Sequence, residues 1–177
     1  MARLSTFALL VVLVAGFQPN AIQADSTNQA WSVYFSPQGG CTAAIVAELA
    51  KARATIYVQA YSFTSDTIAK ALLSANKRGV KVRVILDKSQ RTEKYSSADF
   101  LAHAGIETMI DAQHAIAHNK VMIIDGQVVI TGSFNFTKAA ENSNAENLLI
   151  IRDRNLAEKY RGNWDIHALH SELYQGK

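Results

Sequence analysis

Twice in this chain a helical stripe stops at a glycine and an apolar strand starts at once. Ser65 opens a helix running to Arg78 with Ile68, Leu72 and Leu73 on one face, Gly79 stops it, and Val80 to Leu86 (VKVRVIL) follows as a strand. Ser97 opens a shorter helix to Ala104, Gly105 ends it, and Ile106 to Ile110 resumes as a strand. Helices that return the chain to a strand in this way make right-handed crossovers, which restricts the fold to an α/β class. Upstream, Trp31 to Phe35 alternates as a strand, and Thr42 to Ala52 carries Ile45, Val46 and Leu49 at helical spacing. Thr55 to Tyr61 (TIYVQAY) is rich in β-branched and aromatic residues, as a strand requires. Downstream, Val121 to Ile124 and Val128 to Thr131 flank Asp125-Gly126, a tight hairpin signal. Leu148 to Ile151 is a further buried strand, and Asp153 to Tyr174 closes the chain as a helix with Leu156, Tyr160, Trp164 and Ala168 at spacing four. The expected architecture is a mixed, mostly parallel sheet flanked by helices on both faces.

Of 177 residues, 49% are hydrophobic and 19% charged, which excludes a disordered tail and leaves enough apolar surface for one real core. The single cysteine, Cys41, excludes a disulfide scaffold and a Cys-rich zinc module. Neither a Gly-rich P-loop nor a GxGxxG is present, so nucleotide-dependent transfer has no support. The formal charge of +3 permits a polyanionic partner without demanding one. Arg3 followed by the 11-residue apolar run Phe7 to Phe17 reads as a secretory signal peptide, since a membrane span needs roughly 20 residues. Residues 1–24 are therefore expected to be removed on export to a periplasm or the exterior, leaving 25–177 as one catalytic domain with no stable membrane association.

The chemistry concentrates in His118 to Asn135, HNKVMIIDGQVVITGSFN. His118 and Lys120 are two apart, so on an extended segment their side chains share a face. An imidazole beside an ammonium suits attack on an anion, one as nucleophile or base and the other as a charge clamp. The hairpin at Asp125-Gly126 returns Ser133 and Asn135 alongside, adding a hydroxyl and an amide as neutral donors for phosphoryl oxygens. Thr137 is placed to cap a short helix just beyond. The set contains no metal cage and implies no cofactor.

This pattern resembles the HKD motif of the phospholipase D superfamily, HxK(x)4D(x)6GSxN, matched at His118, Lys120, Asp125, Gly132, Ser133 and Asn135. The order of elements along residues 31 to 174 agrees as well, and the likeness is greatest to the small, single-motif, secreted bacterial endonucleases of that superfamily. The resemblance implies a phospholipase D-like sandwich and a phosphohistidine mechanism. In it His118 attacks phosphorus, and Lys120, Ser133 and Asn135 bind the non-bridging oxygens. Glu146 orients the second imidazole nitrogen. Asp125 belongs to the motif, but its place at the hairpin suggests support of the fold.

The implied mechanism needs one nucleophilic imidazole and a second, protonated one for the leaving oxygen. One motif per chain then requires a homodimer with two copies of His118 across a two-fold axis, where like-charge repulsion favours one shared proton. The expected activity is metal-independent, sequence-nonspecific cleavage of nucleic acid, DNA before RNA. A lipid phosphodiesterase or phosphatidyl transferase is the alternative, with Phe134 and Phe136 as its apolar approach. A non-catalytic polyanion binder would not need His118.

Outside the motif, His114 and His118 at spacing four could form a metal pair only on a helix, which Ile116 and the following strand oppose. His103 and His170 read as surface residues and His167 as a satisfied core residue. Three basic clusters, Lys77/Arg78/Lys81/Arg83, Lys88/Arg91/Lys94 and Arg152/Arg154/Lys159/Arg161, are either solvated faces or a phosphate-tracking groove.

Overall fold

A computed structural model describes residues 30–177; the expected signal peptide lies outside the described residues. Strands β1 (Trp31–Ser36), β2 (Thr55–Ala60), β3 (Lys81–Asp87), β4 (Glu107–Asp111), β5 (Lys120–Ile124), β6 (Val128–Gly132), β7 (Glu146–Arg152) and β8 (Glu172–Leu173) form one sheet in the order β1-β7-β6-β5-β2-β3-β4-β8. Helices α1 (Cys41–Lys51), α2 (Asp66–Lys77), α3 (Ala98–His103), α4 (Lys138–Asn142) and α5 (Arg154–His170) cover it.

Successive strand residues point to opposite faces, and both faces are buried. On one, Val58, Val84, Ile110 and Met122 of the sheet pack with Ile45, Leu49, Ile68, Leu72, Leu101 and Ala140 from the first four helices. On the other, Tyr57, Ile85, Met109 and Ile123 pack under Ala157 and Trp164 of α5. Trp164 anchors that helix, with its Nε1–H donating to Val58 O at 2.9 Å. The stripe at spacing four is thus α5's buried face, and helices flank the sheet on both sides.

The expectation of a mostly parallel sheet is corrected. Among the described residues, strand pairs β2–β3 and β3–β4 run parallel and the other five pairings are antiparallel. Parallel neighbours need a crossover, and α2 and α3, the two glycine-terminated helices, supply the only ones used that way. The closing helix also stops early, at His170. Ser171 is extended, and Glu172–Leu173 pairs with the edge of β4, giving its open backbone groups partners.

The β5–β6 connection places both Asp125 (φ 51°) and Gly126 (φ 61°) in the left-handed region that a primed hairpin turn demands. The Asp125 carboxylate accepts hydrogen bonds from the backbone N–H groups of Arg53, Ala54 and Thr55 at 2.9, 2.8 and 2.8 Å. It ties the hairpin to the start of β2.

Candidate active site

Lys120 is the first residue of β5, and its side chain points to the face shared with Met122 and Ile124. It is only 7% exposed. Its Nζ donates to His118 O at 2.8 Å and lies 5.1 Å from the centre of the Tyr61 ring. Burial lowers its pKa, opposed by the nearby Glu146 carboxylate. His118, just before the strand, is exposed, with its ring 4.6 Å from that of Tyr61. Tyr61 is itself fixed by its backbone N–H donating to Asn119 O at 2.8 Å. An exposed imidazole and a buried ammonium thus share the Tyr61 ring.

The antiparallel register of β5 and β6 pairs Met122 with Ile130, which carried on two residues sets Gly132 across from Lys120. Gly132 (φ 144°) cannot be replaced there, since an added Cβ would lie 2.3 Å from Asn147 O. That close approach delivers Ser133, whose Oγ accepts from the backbone N–H and Nδ2 of Asn147 at 3.1 and 3.3 Å. With two acceptances made, the hydroxyl retains its own proton for an incoming oxygen. Asn135 follows. Its buried Oδ1 is an acceptor with no protein donor among the described residues. Thr137 caps α4, its Oγ1 accepting from Ala140 N–H at 3.0 Å.

Tyr61 and Asn135 border a groove of about 660 Å³ that continues past Thr64, Tyr95 and Lys138. The structure therefore brings His118, Lys120, Ser133 and Asn135 to one end of the sheet. Glu146, at the start of β7, is nearby, but its carboxylate accepts from Asn144 Nδ2 at 3.1 Å, and no hydrogen bond joins it to the His118 ring among the described residues. Asp125 sits at the far end of β5, roughly 16 Å from Lys120 at the strand rise per residue. Its three backbone partners outweigh burial and hold its carboxyl below the usual range. Sequence reasoning missed Tyr61 and Asn147. Tyr61 belongs to a strand run in which nothing distinguishes it, and Asn147 acts only through Ser133.

Phe134 and Phe136 are wholly buried, so they offer no apolar approach to the site. Five of the six arginines in the basic clusters have partners within the fold. Arg83 pairs with Glu107, Arg91 with Glu172, Arg152 with Glu48 and Arg161 with Asp165, while Arg78 donates to Leu49 O and Ala52 O. Lys94 and Lys138 stay near the groove, the first over the Tyr95 ring and the second beside Asp66. His114 does not pair with His118. It meets His167 and His170 around the buried carboxylate of Asp111, so His167 has the hydrogen-bond partner expected of it, whereas His170 is partly buried and not a surface residue.

A family described as "Cardiolipin synthase, PLD-like domain" matches residues 45–166. The phospholipase D of Rickettsia prowazekii is 50% identical over 133 residues, which are 75% of this chain and 65% of that protein. The chain thus spans just under two thirds of the length of that relative. The mitochondrial cardiolipin hydrolase of Xenopus tropicalis is 34% identical over 64% of this chain and 54% of its own. Among solved structures, Nuc from Salmonella typhimurium, a phospholipase D family member, superposes with a TM-score of 0.80 at 37% identity, covering 82% of this chain and 98% of Nuc. NucT from Helicobacter pylori gives 0.76 at 26%, covering 81% and 98%.

Proposed function

The chain belongs to the phospholipase D superfamily, and from that premise we propose that it is a phosphodiesterase that cleaves nucleic acid, DNA first, through a covalent intermediate on His118. The observation that carries this reading is the exposed His118 ring and the buried Lys120 ammonium meeting at the Tyr61 ring, which with Asn135 borders a groove with polar and aromatic walls. His118 attacks phosphorus and the P–O bond to the leaving alkoxide breaks. Lys120, Ser133 and Asn135 hold the non-bridging oxygens, and a water then releases the phosphoryl group from the imidazole. Tyr61 and Tyr95 offer faces for unpaired bases, a mode of binding indifferent to sequence.

The leaving alkoxide needs a proton donor, and a second copy of His118 in a homodimer supplies it. A row of exposed apolar residues supports that assembly. Trp31, Val33 and Phe35 lie on one face of edge strand β1, and Phe35 pairs in register with Asn147, the partner of Ser133. The self-complementary apolar patch would thus adjoin the site. Residues 1–24 would carry the chain out of the cytoplasm.

The phospholipase D and cardiolipin hydrolase names of its relatives favour a second reading, a lipid diester in the same site. The test is turnover by the purified chain on DNA, RNA, phosphatidylcholine vesicles and cardiolipin vesicles, with and without EDTA, beside His118→Ala. Cleavage of nucleic acid that is absent in His118→Ala, with an acid-labile phosphoryl adduct on the wild-type chain, is expected. Turnover of lipid alone overturns the substrate, and turnover by His118→Ala overturns the mechanism.

A further inference from the structure

Asp111 ends β4 on the sheet face covered by α5, with its side chain wholly buried. Three imidazoles converge on it from two separate stretches of chain. His114 Nδ1 lies 2.9 Å from Asp111 Oδ2, His167 Nδ1 lies 2.7 Å away and His170 Nε2 lies 3.3 Å away. His167 and His170 are three apart on the last turn of α5, so both rings leave the helix on one side. The four ligand atoms lie within 4.8 Å of one another.

Hydrogen bonding alone leaves this arrangement incomplete. One carboxylate oxygen faces three nitrogens, more than its lone pairs can serve well. His170 Nε2 is buried and, although 3.3 Å from Asp111 Oδ2, makes no well-aligned hydrogen bond among the described residues. A cation at the centre resolves both defects, because each imidazole nitrogen and the carboxylate then offers a lone pair inward. Tetrahedral coordination at about 2.0–2.1 Å sets ligand atoms roughly 3.3 Å apart, so the carboxylate–imidazole spacings of 2.7, 2.9 and 3.3 Å would open slightly while the widest spacings, up to 4.8 Å, would close. Imidazole with one carboxylate suits zinc and its neighbours rather than calcium or magnesium.

We propose that Asp111, His114, His167 and His170 form a binding site for one divalent transition-metal ion, apart from the reaction centre. Four protein ligands close the coordination sphere, so the ion would be structural. It would clamp the end of α5 to β4 and to the loop 112–119, from which His118 projects. Lys88 Nζ on His114 O at 3.0 Å and Asp87 Oδ2 accepting from Ala117 N–H at 2.7 Å already brace that loop. The site and the activity proposed above stand or fall separately.

The probe is zinc chloride titrated calorimetrically into the untagged, chelator-stripped chain, with thermal unfolding followed in parallel. One ion per chain and a melting temperature raised by several degrees are expected. His114→Gln, at a partly exposed ring whose loss leaves the core intact, and His170→Gln should each weaken binding by at least about 100-fold. His103→Gln, outside the cluster, should bind like the parent. A cobalt-loaded chain should show tetrahedral visible absorption that both cluster variants lose. Absence of stoichiometric binding, or binding that survives His114→Gln combined with His170→Gln, overturns the site.

Discussion

The His118 ring rests 4.6 Å from the Tyr61 ring, tilted by 53°, and Lys120 lies over the same tyrosine. One aromatic side chain on the loop after β2 therefore contacts both the His118 imidazole and the Lys120 ammonium. Tyr61→Phe keeps that surface and should change kcat less than about 3-fold, whereas Tyr61→Ala should lower it by roughly 10- to 100-fold through lost orientation. His118→Ala should lose at least about 1000-fold with little change in stability, because the ring is exposed. Steady-state kinetics with thermal melts separates these outcomes.

Lys120 carries its charge against the cost of burial. A base whose folded pKa is lowered destabilises the fold while protonated, and that penalty is relieved as pH rises through the folded value. Lys120→Met should therefore match or exceed the parent in melting temperature at neutral pH while losing about 100-fold or more in kcat/KM. The parent's alkaline limb of kcat/KM should fall below the ordinary lysine pKa of about 10.4. A less stable Lys120→Met, or a limb at that ordinary value, would count against the charge clamp.

Asp125 acts on stability from a distance. Its carboxyl pKa is depressed, so its contribution is fully present above the unfolded value of about 3.9 and is lost as pH falls through the lower folded value. Asp125→Asn should cost about 1–3 kcal/mol in urea unfolding at pH 7, and less at acid pH. Its kcat on the folded chain should match the parent. A selective loss of kcat would assign the residue a direct role.

Gly132→Ala tests the close approach of β6 to β7. The added methyl meets backbone at Asn147 O, which cannot swing aside. A loss of about 2–4 kcal/mol in stability is expected from overpacking and strain, with lower activity as Ser133 shifts. A neutral substitution would show that the strands can part without disturbing the site.

Local features were legible because they depend on neighbours in the chain. The helix starts and glycine stops around Ser65 and Gly79, the Asp125-Gly126 turn, the apolar stripe of α5 and the spacing of His118, Lys120, Ser133 and Asn135 all follow from backbone preference or from periods of 2 and 3.6. Tertiary structure decided the rest. An apolar strand pattern does not encode the direction of its neighbours, so the sheet became mostly antiparallel where no helix crossover intervened. The end of α5 was set by an open edge of β4, not by its own residues. Asp111 and His167 stand 56 positions apart and touch only because β4 and α5 pack together. Such convergence depends on how whole elements are placed, which no local spacing carries.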